Sequence, residues 1–207
     1  MTMHYEILDD ARRALLPVFE TFRSRFYLAG GTSLALQIDH RDSIDFDFFT
    51  VEPFDTAALF SECIETFAGH SLLKTQDEKN TLGIIIDGAV SVSFMTFPYA
   101  MVRPLVESGN LALASIEDIA CMKFSAITSR STMKDYVDLY FILNLFPLAE
   151  LLDLAAQKMP TLDRNLILKS LVYFDDITTE PIRFMTGKEV SLDTIKLYMR
   201  QEVKKVV

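Results

Sequence analysis

The chain has 207 residues, half of them hydrophobic, and a formal net charge of −9. That length suits one α/β domain, alone or with a helical extension, with enough apolar side chain to bury a core without staples. Its short basic pieces, Arg12-Arg13 and Lys204-Lys205, do not make the basic face that phosphate-led binding needs, which argues against extended duplex DNA as a ligand.

The chain opens Met1-Thr2-Met3-His4-Tyr5-Glu6. No basic stretch leads into an apolar one, so no signal peptide is expected. No window reaches the ~20 apolar residues of a membrane span, and the expected location is cytoplasmic. Apolar Ile7, Leu8, Ala11, Leu15, Val18, Phe19 and Phe22 recur at spacings of three and four. That predicts an amphipathic helix over residues 5 to 24. Phe26 to Ala29 reads as a buried strand entering a tight turn at Gly30-Gly31. Thr32 to Ile38 reads as a helix capped by Thr32 or Ser33.

Ile44 to Thr50 alternates, with Ile44, Phe46 and Phe48 on one side and Asp45 and Asp47 on the other. Residues 55 to 68 follow Pro53 as a helix, capped by Asp55 or Thr56. Leu72 to Thr75, Thr81 to Asp87 and Val90 to Phe97 read as strands, the last two joined through the hairpin signal Asp87-Gly88. These give a mixed sheet of about five strands. From Ser115-Ile116-Glu117-Asp118, which has capping-box spacing, the pattern turns helical. Helices are predicted over residues 116–129, 133–145, 148–157, 162–173 and 191–203. The fold class is α/β (α+β): a mixed-sheet half over residues 1–110, then a helical bundle over 111–207 packed on it. Cys63 and Cys121 lack metal-ligand spacing and read as buried thiols of a reducing compartment.

The chemistry centres on Ser43-Ile44-Asp45-Phe46-Asp47-Phe48-Phe49. Two carboxylates at i and i+2 on a strand share a face, roughly 7 Å apart for a rise of ~3.3 Å per residue. Oxygen-only ligands at that spacing suit a hard cation such as magnesium. A metal held there can bridge phosphates and stabilise a leaving oxygen. The bland alternative is the wet face of an edge strand. Bulky apolar neighbours and the upstream glycine pair weigh against it. Gly30-Gly31 lets backbone approach a phosphate, and the helix behind it offers unpaired N–H groups.

Several stretches together resemble the AbiEii/AbiGii-type nucleotidyltransferases, toxin components of bacterial toxin–antitoxin and phage-abortive (abortive infection) systems. They are Tyr27 to Leu36 around Gly30-Gly31-Thr32-Ser33, then His40 to Phe49 around Arg41, Asp45 and Asp47. Ile119 to Lys123, Lys134 to Phe141 with Asp138, and Ser170 to Asp176 complete the set. The likeness covers residues 26 to 176 and rests on order and spacing combined.

The resemblance implies the polymerase-β-like nucleotidyltransferase fold, a mixed-sheet core followed by a helical bundle. It implies transfer of a nucleoside monophosphate from an NTP, with Mg2+ or Mn2+, to an RNA (tRNA-like) or protein acceptor, and a cognate antitoxin. It assigns metal ligation to Asp45 and Asp47, phosphate contact to Lys123, and nucleotide binding to Gly30, Gly31, Thr32, Ser33, Arg41 and Asp138. The superfamily's third carboxylate would fall in Val90-Ser91-Val92-Ser93-Phe94, at Ser93. A hydroxyl is a neutral, weaker ligand and a poor base. Ser93 therefore motivates a second reading: a catalytically impaired nucleotide-binding or protein-interaction module. Beside these roles stand plain ones. Lys123 could snorkel from a half-buried helix. Asp138 could pair with Lys134 one turn away. Arg41 could pair with Asp39 or Asp42.

Overall fold

Phe46 and Phe48 are buried while Asp47 between them is half-buried, and this alternation sets the centre of the fold. In the computed structural model, which describes residues 2–207, the two rings join an aromatic cluster. Phe19 lies 4.8 Å from Phe46 and 5.0 Å from Phe48, and Phe48 lies 5.4 Å from Phe94, between ring centres. Such pairs add about 0.5–1.5 kcal/mol each beyond the area they bury. Turning Asp47 inward would expel both rings, so the core fixes which face the carboxylate takes.

The described chain divides into two compact units. The first comprises the residues up to Asp39, then Ser43–Ala100 and Pro104–Ala114. It contains α1 (Asp10–Phe19), β1 (Tyr27–Ala29), α2 (Gly30–Ile38), β2 (Phe46–Thr50) and α3 (Thr56–Thr66). These precede β3 (Leu72–Glu78), β4 (Thr81–Ile86), β5 (Val90–Thr96), β6 (Val106–Ser108) and β7 (Leu111–Leu113). The seven strands form one sheet in the order β3-β4-β5-β2-β1-β7-β6. β2 runs parallel to β5 and β1 parallel to β7, while the other neighbours are antiparallel. α2 packs on β1 and β2, and α3 on β3 and β4.

Several local expectations shift. The sheet has seven strands rather than about five, because β6 and β7 are three residues each around the Gly109 turn and too short to show alternation. The first helix is shorter than predicted: α1 carries Pro17 in its last turn and gives way to a 3-10 turn at Glu20–Phe22. Proline brings no N–H to the helix ladder. β2 begins at Phe46, and Ile44 is 42% exposed instead of lying in the core. α2 begins two residues early, at Gly30, and its N-cap residue is Ala29, whose methyl cannot cap; Thr32 lies inside the helix, its hydroxyl donating to the Asp45 carbonyl. The Asp87-Gly88 hairpin forms with both residues at positive φ, +52° and +65°, as a type I′ turn requires.

The second unit comprises His40–Asp42, Met101–Arg103 and Ser115 onward. Its helices are α4 (Ile116–Ser129), α5 (Met133–Leu143), α6 (Leu148–Lys158), α7 (Arg164–Val172) and α8 (Leu192–Lys204). α4 packs against α5, α6 and α7, and α8 against α5 and α7. Two short pieces from earlier in the chain belong here for physical reasons. Arg41 bridges to Phe184 and pairs with Asp138 on α5. The Val102 and Arg103 amides donate to Asp118 on α4, at 3.0 and 3.1 Å. Asp118 also receives Lys158 Nζ at 2.8 Å, with both side chains fully buried. Ser115 caps α4 by accepting from the Asp118 amide at 3.0 Å. Among the described residues, no single helix is long and apolar enough to cross a membrane.

Candidate functional site

The glycine turn meets Asp47 within the first unit. Gly30 has φ +71°, and a β-carbon placed on it would lie 3.0 Å from Asp47 Oδ2. β1 and β2 are paired so that Ala29 faces Asp47. That pairing brings the start of α2 beside the carboxylate. Thr32 reinforces the join: its buried hydroxyl donates to the Asp45 carbonyl at 2.5 Å and lies 2.9 Å from the Ser43 hydroxyl. Ser33 is buried too, its hydroxyl and carbonyl accepting from Gln37 Nε2 inside α2. Asp45 is exposed and Asp47 half-buried.

The β2–β5 ladder sets Ser93 directly beside Asp47. Val90, Val92 and Phe94 are buried on β5, leaving Ser91 and Ser93 half-buried on the other side. The third position of the sheet's polar face is thus a hydroxyl next to a carboxylate. The donors present here are the Asp45 and Asp47 carboxylates and the Ser93 hydroxyl. This all-oxygen set fits a hard divalent cation and lacks the nitrogen and sulfur ligands of a zinc site.

Lys123, Arg41 and Asp138 come together elsewhere, in the second unit. Lys123 Nζ lies 2.7 Å from Asp135 Oδ1 and 2.6 Å from Asp138 Oδ2. Arg41 grips Asp138 through Nε at 2.7 Å and Nη2 at 2.9 Å. His40 Nε2 sits 2.8 Å from Asp138 Oδ1. Asp135 also accepts from Arg130 Nε at 3.1 Å and the Thr132 hydroxyl at 2.6 Å. Lys134, one turn from Asp138, pairs with Glu180 at 2.7 Å instead.

Burial shapes the ionisation of this cluster. It would raise the Asp138 carboxyl, but the Lys123 ammonium, Arg41 guanidinium and His40 hydrogen bond hold it well below the usual range. Burial likewise opposes the charge on Lys123, and the Asp138 and Asp135 carboxylates overcome it and raise the ammonium above its ordinary value. His40 goes the other way: burial outweighs Asp138 and lowers the imidazole, keeping it neutral near pH 7. Both cysteines are buried thiols pushed up to about 12, chiefly by burial.

The structure therefore gathers Gly30, Gly31, Thr32, Ser33, Asp45, Asp47 and Ser93 in one unit, and Arg41, Lys123 and Asp138 in the other. The sequence reading passed over Asp135, hidden behind Lys134 in the same motif. It took Arg12 only as part of a short basic piece. The signal for Arg12 was available, because it interrupts the apolar stripe Leu8, Leu15, Phe19 at helical spacing.

A seven-stranded mixed sheet with a glycine turn against paired aspartates, followed by helices, defines a nucleotidyltransferase-type fold. Solved structures share it. A nucleotidyltransferase toxin of Mycobacterium tuberculosis H37Rv, MenT4, superposes with a TM-score of 0.63 at 15% identity, covering 93% of this chain and 81% of that one. JHP933 of Helicobacter pylori gives 0.58 at 14% identity, over 96% and 94%. An uncharacterized protein of Aquifex aeolicus (strain VF5) is 37% identical over 161 residues, 75% of this chain and 76% of its own. Residues 13–204 match the family described as nucleotidyl transferase AbiEii toxin of type IV toxin–antitoxin systems, and the chain belongs to that family.

Proposed function

We propose that the chain transfers a nucleoside monophosphate from an NTP to an RNA or protein acceptor, with a divalent cation held by Asp45 and Asp47. The observation that carries this reading is the approach of Gly30 to Asp47 Oδ2. It sets the start of α2, which has no side-chain cap, beside a carboxylate on a rigid strand. Backbone amides at a helix start suit phosphate, and the carboxylates suit a cation that neutralises it. Mg2+ or Mn2+ bound there would supply charge for the phosphates and for the leaving oxygen. The chain's own groups hold that ion and orient the phosphates.

In the same proposal, Lys123 and Arg41 supply positive charge for nucleotide binding, and the Asp138 carboxylate holds both of them. Their mutual pairing keeps the lysine and arginine charged at any ordinary pH. The family's setting adds a cognate antitoxin as partner.

Incubation with each labelled NTP, Mg2+ or Mn2+, and total tRNA or candidate proteins tests the proposal. Label should pass to an acceptor with wild type and not with Asp45→Asn, Asp47→Asn. No transfer above that control for any NTP would overturn it. One observation favours a second reading: the neutral Ser93 beside Asp47. NTP binding by calorimetry without turnover would support a nucleotide-binding module instead.

A further inference from the structure

Arg12 is only 6% exposed, although it is a charged residue on the apolar stripe of α1. Its guanidinium makes three directed contacts. Nε donates to the Ile44 carbonyl at 2.7 Å, Nη2 donates to the Ala89 carbonyl at 3.0 Å, and Nη1 pairs with the Asp9 carboxylate. Ile44 lies just before β2 and Ala89 just before β5. The ladder between these strands starts with Phe46 beside Val92, so the guanidinium sits beyond its open end. It ties together two chain segments that no paired residues of the ladder hold there.

Asp45 belongs to the same unladdered stretch. The peptide before it offers the Ile44 carbonyl to Arg12, and the peptide after it offers the Asp45 carbonyl to Thr32. An exposed carboxylate outside the strand is thus fixed from both sides by side-chain donors. A buried guanidinium is an expensive way to fill space, since its desolvation must be offset by good partners. An apolar side chain would complete the stripe at lower cost. What arginine adds is a planar fork that addresses two carbonyls at once in fixed directions. Arg12 also lies one residue before the matched family region, 13–204.

We propose that Arg12 is a positioning residue for the Asp45–Asp47 pair, fixing the peptide that precedes Asp45 and the entry of the strand that carries Ser93. This rests on the reading of that pair as a metal site. It acts through the backbone and touches no substrate.

The test uses the full chain as wild type, Arg12→Met and Arg12→Lys. Two readouts are taken: hydrogen exchange of the 44–47 amides, and Mn2+ binding by electron paramagnetic resonance. In Arg12→Met the 44–47 amides should exchange faster while α6 and α7 keep their protection. Mn2+ affinity should fall about tenfold, the low end for losing an orienting outer group. Arg12→Lys keeps the charge but not the fork and should fall between. If Arg12→Met unfolds as a whole, Arg12→Lys alone decides. Unchanged exchange at 44–47, or faster exchange with Mn2+ affinity intact, overturns the role of Arg12. Wild type that binds no Mn2+ overturns the metal reading itself.

Discussion

A β-carbon on Gly30 would stand 3.0 Å from Asp47 Oδ2, with the backbone at φ +71°. Steric contact and left-handed backbone both penalise a side chain, and they act together at a residue that faces the carboxylate. Gly30→Ala should therefore lose about 1–2 kcal/mol from the backbone alone, and Asp47 should shift away from α2. Urea denaturation gives the stability, and a Mn2+ titration gives the affinity of the displaced carboxylate. A variant within about 0.5 kcal/mol of wild type, the ordinary range of a surface change, would show that Asp47 yields freely.

Asp47 and Ser93 pair across parallel strands, which makes the missing carboxylate a direct experiment. Ser93→Asp places two negative charges side by side. Without metal the variant should melt below wild type, because like charges directly opposite on a sheet repel. With Mg2+ or Mn2+ the order should reverse, since an added anionic ligand tightens a hard-cation site. Melting with chelator and with metal checks both halves. A melting point insensitive to metal in Ser93→Asp would remove Asp47 from the ligand set.

The glycine turn, the Phe46-Asp47-Phe48 alternation and the Val90 to Phe94 alternation were legible because each expresses a local rule in consecutive residues. The family pattern puts the third-acid position at Ser93 on a neighbouring strand, and the β2–β5 ladder is what sets it beside Asp47. Other features were not legible because they depend on distant partners. Asp138 could be read as a helix pair with Lys134, and only the return of His40–Asp42 into the second unit gives it Arg41 and His40 instead. Ile44 fits the alternation yet stands 42% exposed, since the ladder begins two residues later at Phe46. β6 and β7 were invisible at three residues each.

Lys123→Met tests the buried cluster. It leaves Asp135 and Asp138 facing each other's charge with Arg41 and Arg130 as remaining cations. Breaking one partner from a buried pair typically costs about 3–5 kcal/mol. Urea denaturation should show a loss of that order, and any nucleotidyl transfer should vanish with it. Lys123→Met combined with Asp135→Asn should recover part of the stability, because it removes one stranded charge. Recovery of transfer in that double variant would show that the ammonium serves structure and not the nucleotide.

Acid should weaken the same cluster through His40 before any other member. Burial holds this imidazole below its ordinary value, so the native protein refuses a proton that the unfolded chain accepts near pH ~6.5. Its contribution is present above that pH and is lost as pH falls toward the native value. Asp138 is also depressed, but its loss begins only below the unfolded carboxyl value of ~3.9. Lys123 is raised, so its contribution stays whole below ~10.4 and fades only above it. Between about pH 7 and 5, His40 is therefore the group of this cluster that changes. His40→Gln keeps an amide able to reach Asp138 and cannot titrate. Unfolding free energies at pH 7 and 5 should drop more for wild type than for His40→Gln. Contributions from other carboxyls are common to both proteins and cancel in that difference. Equal drops would mean that His40 takes up its proton in the native state as readily as in the unfolded one.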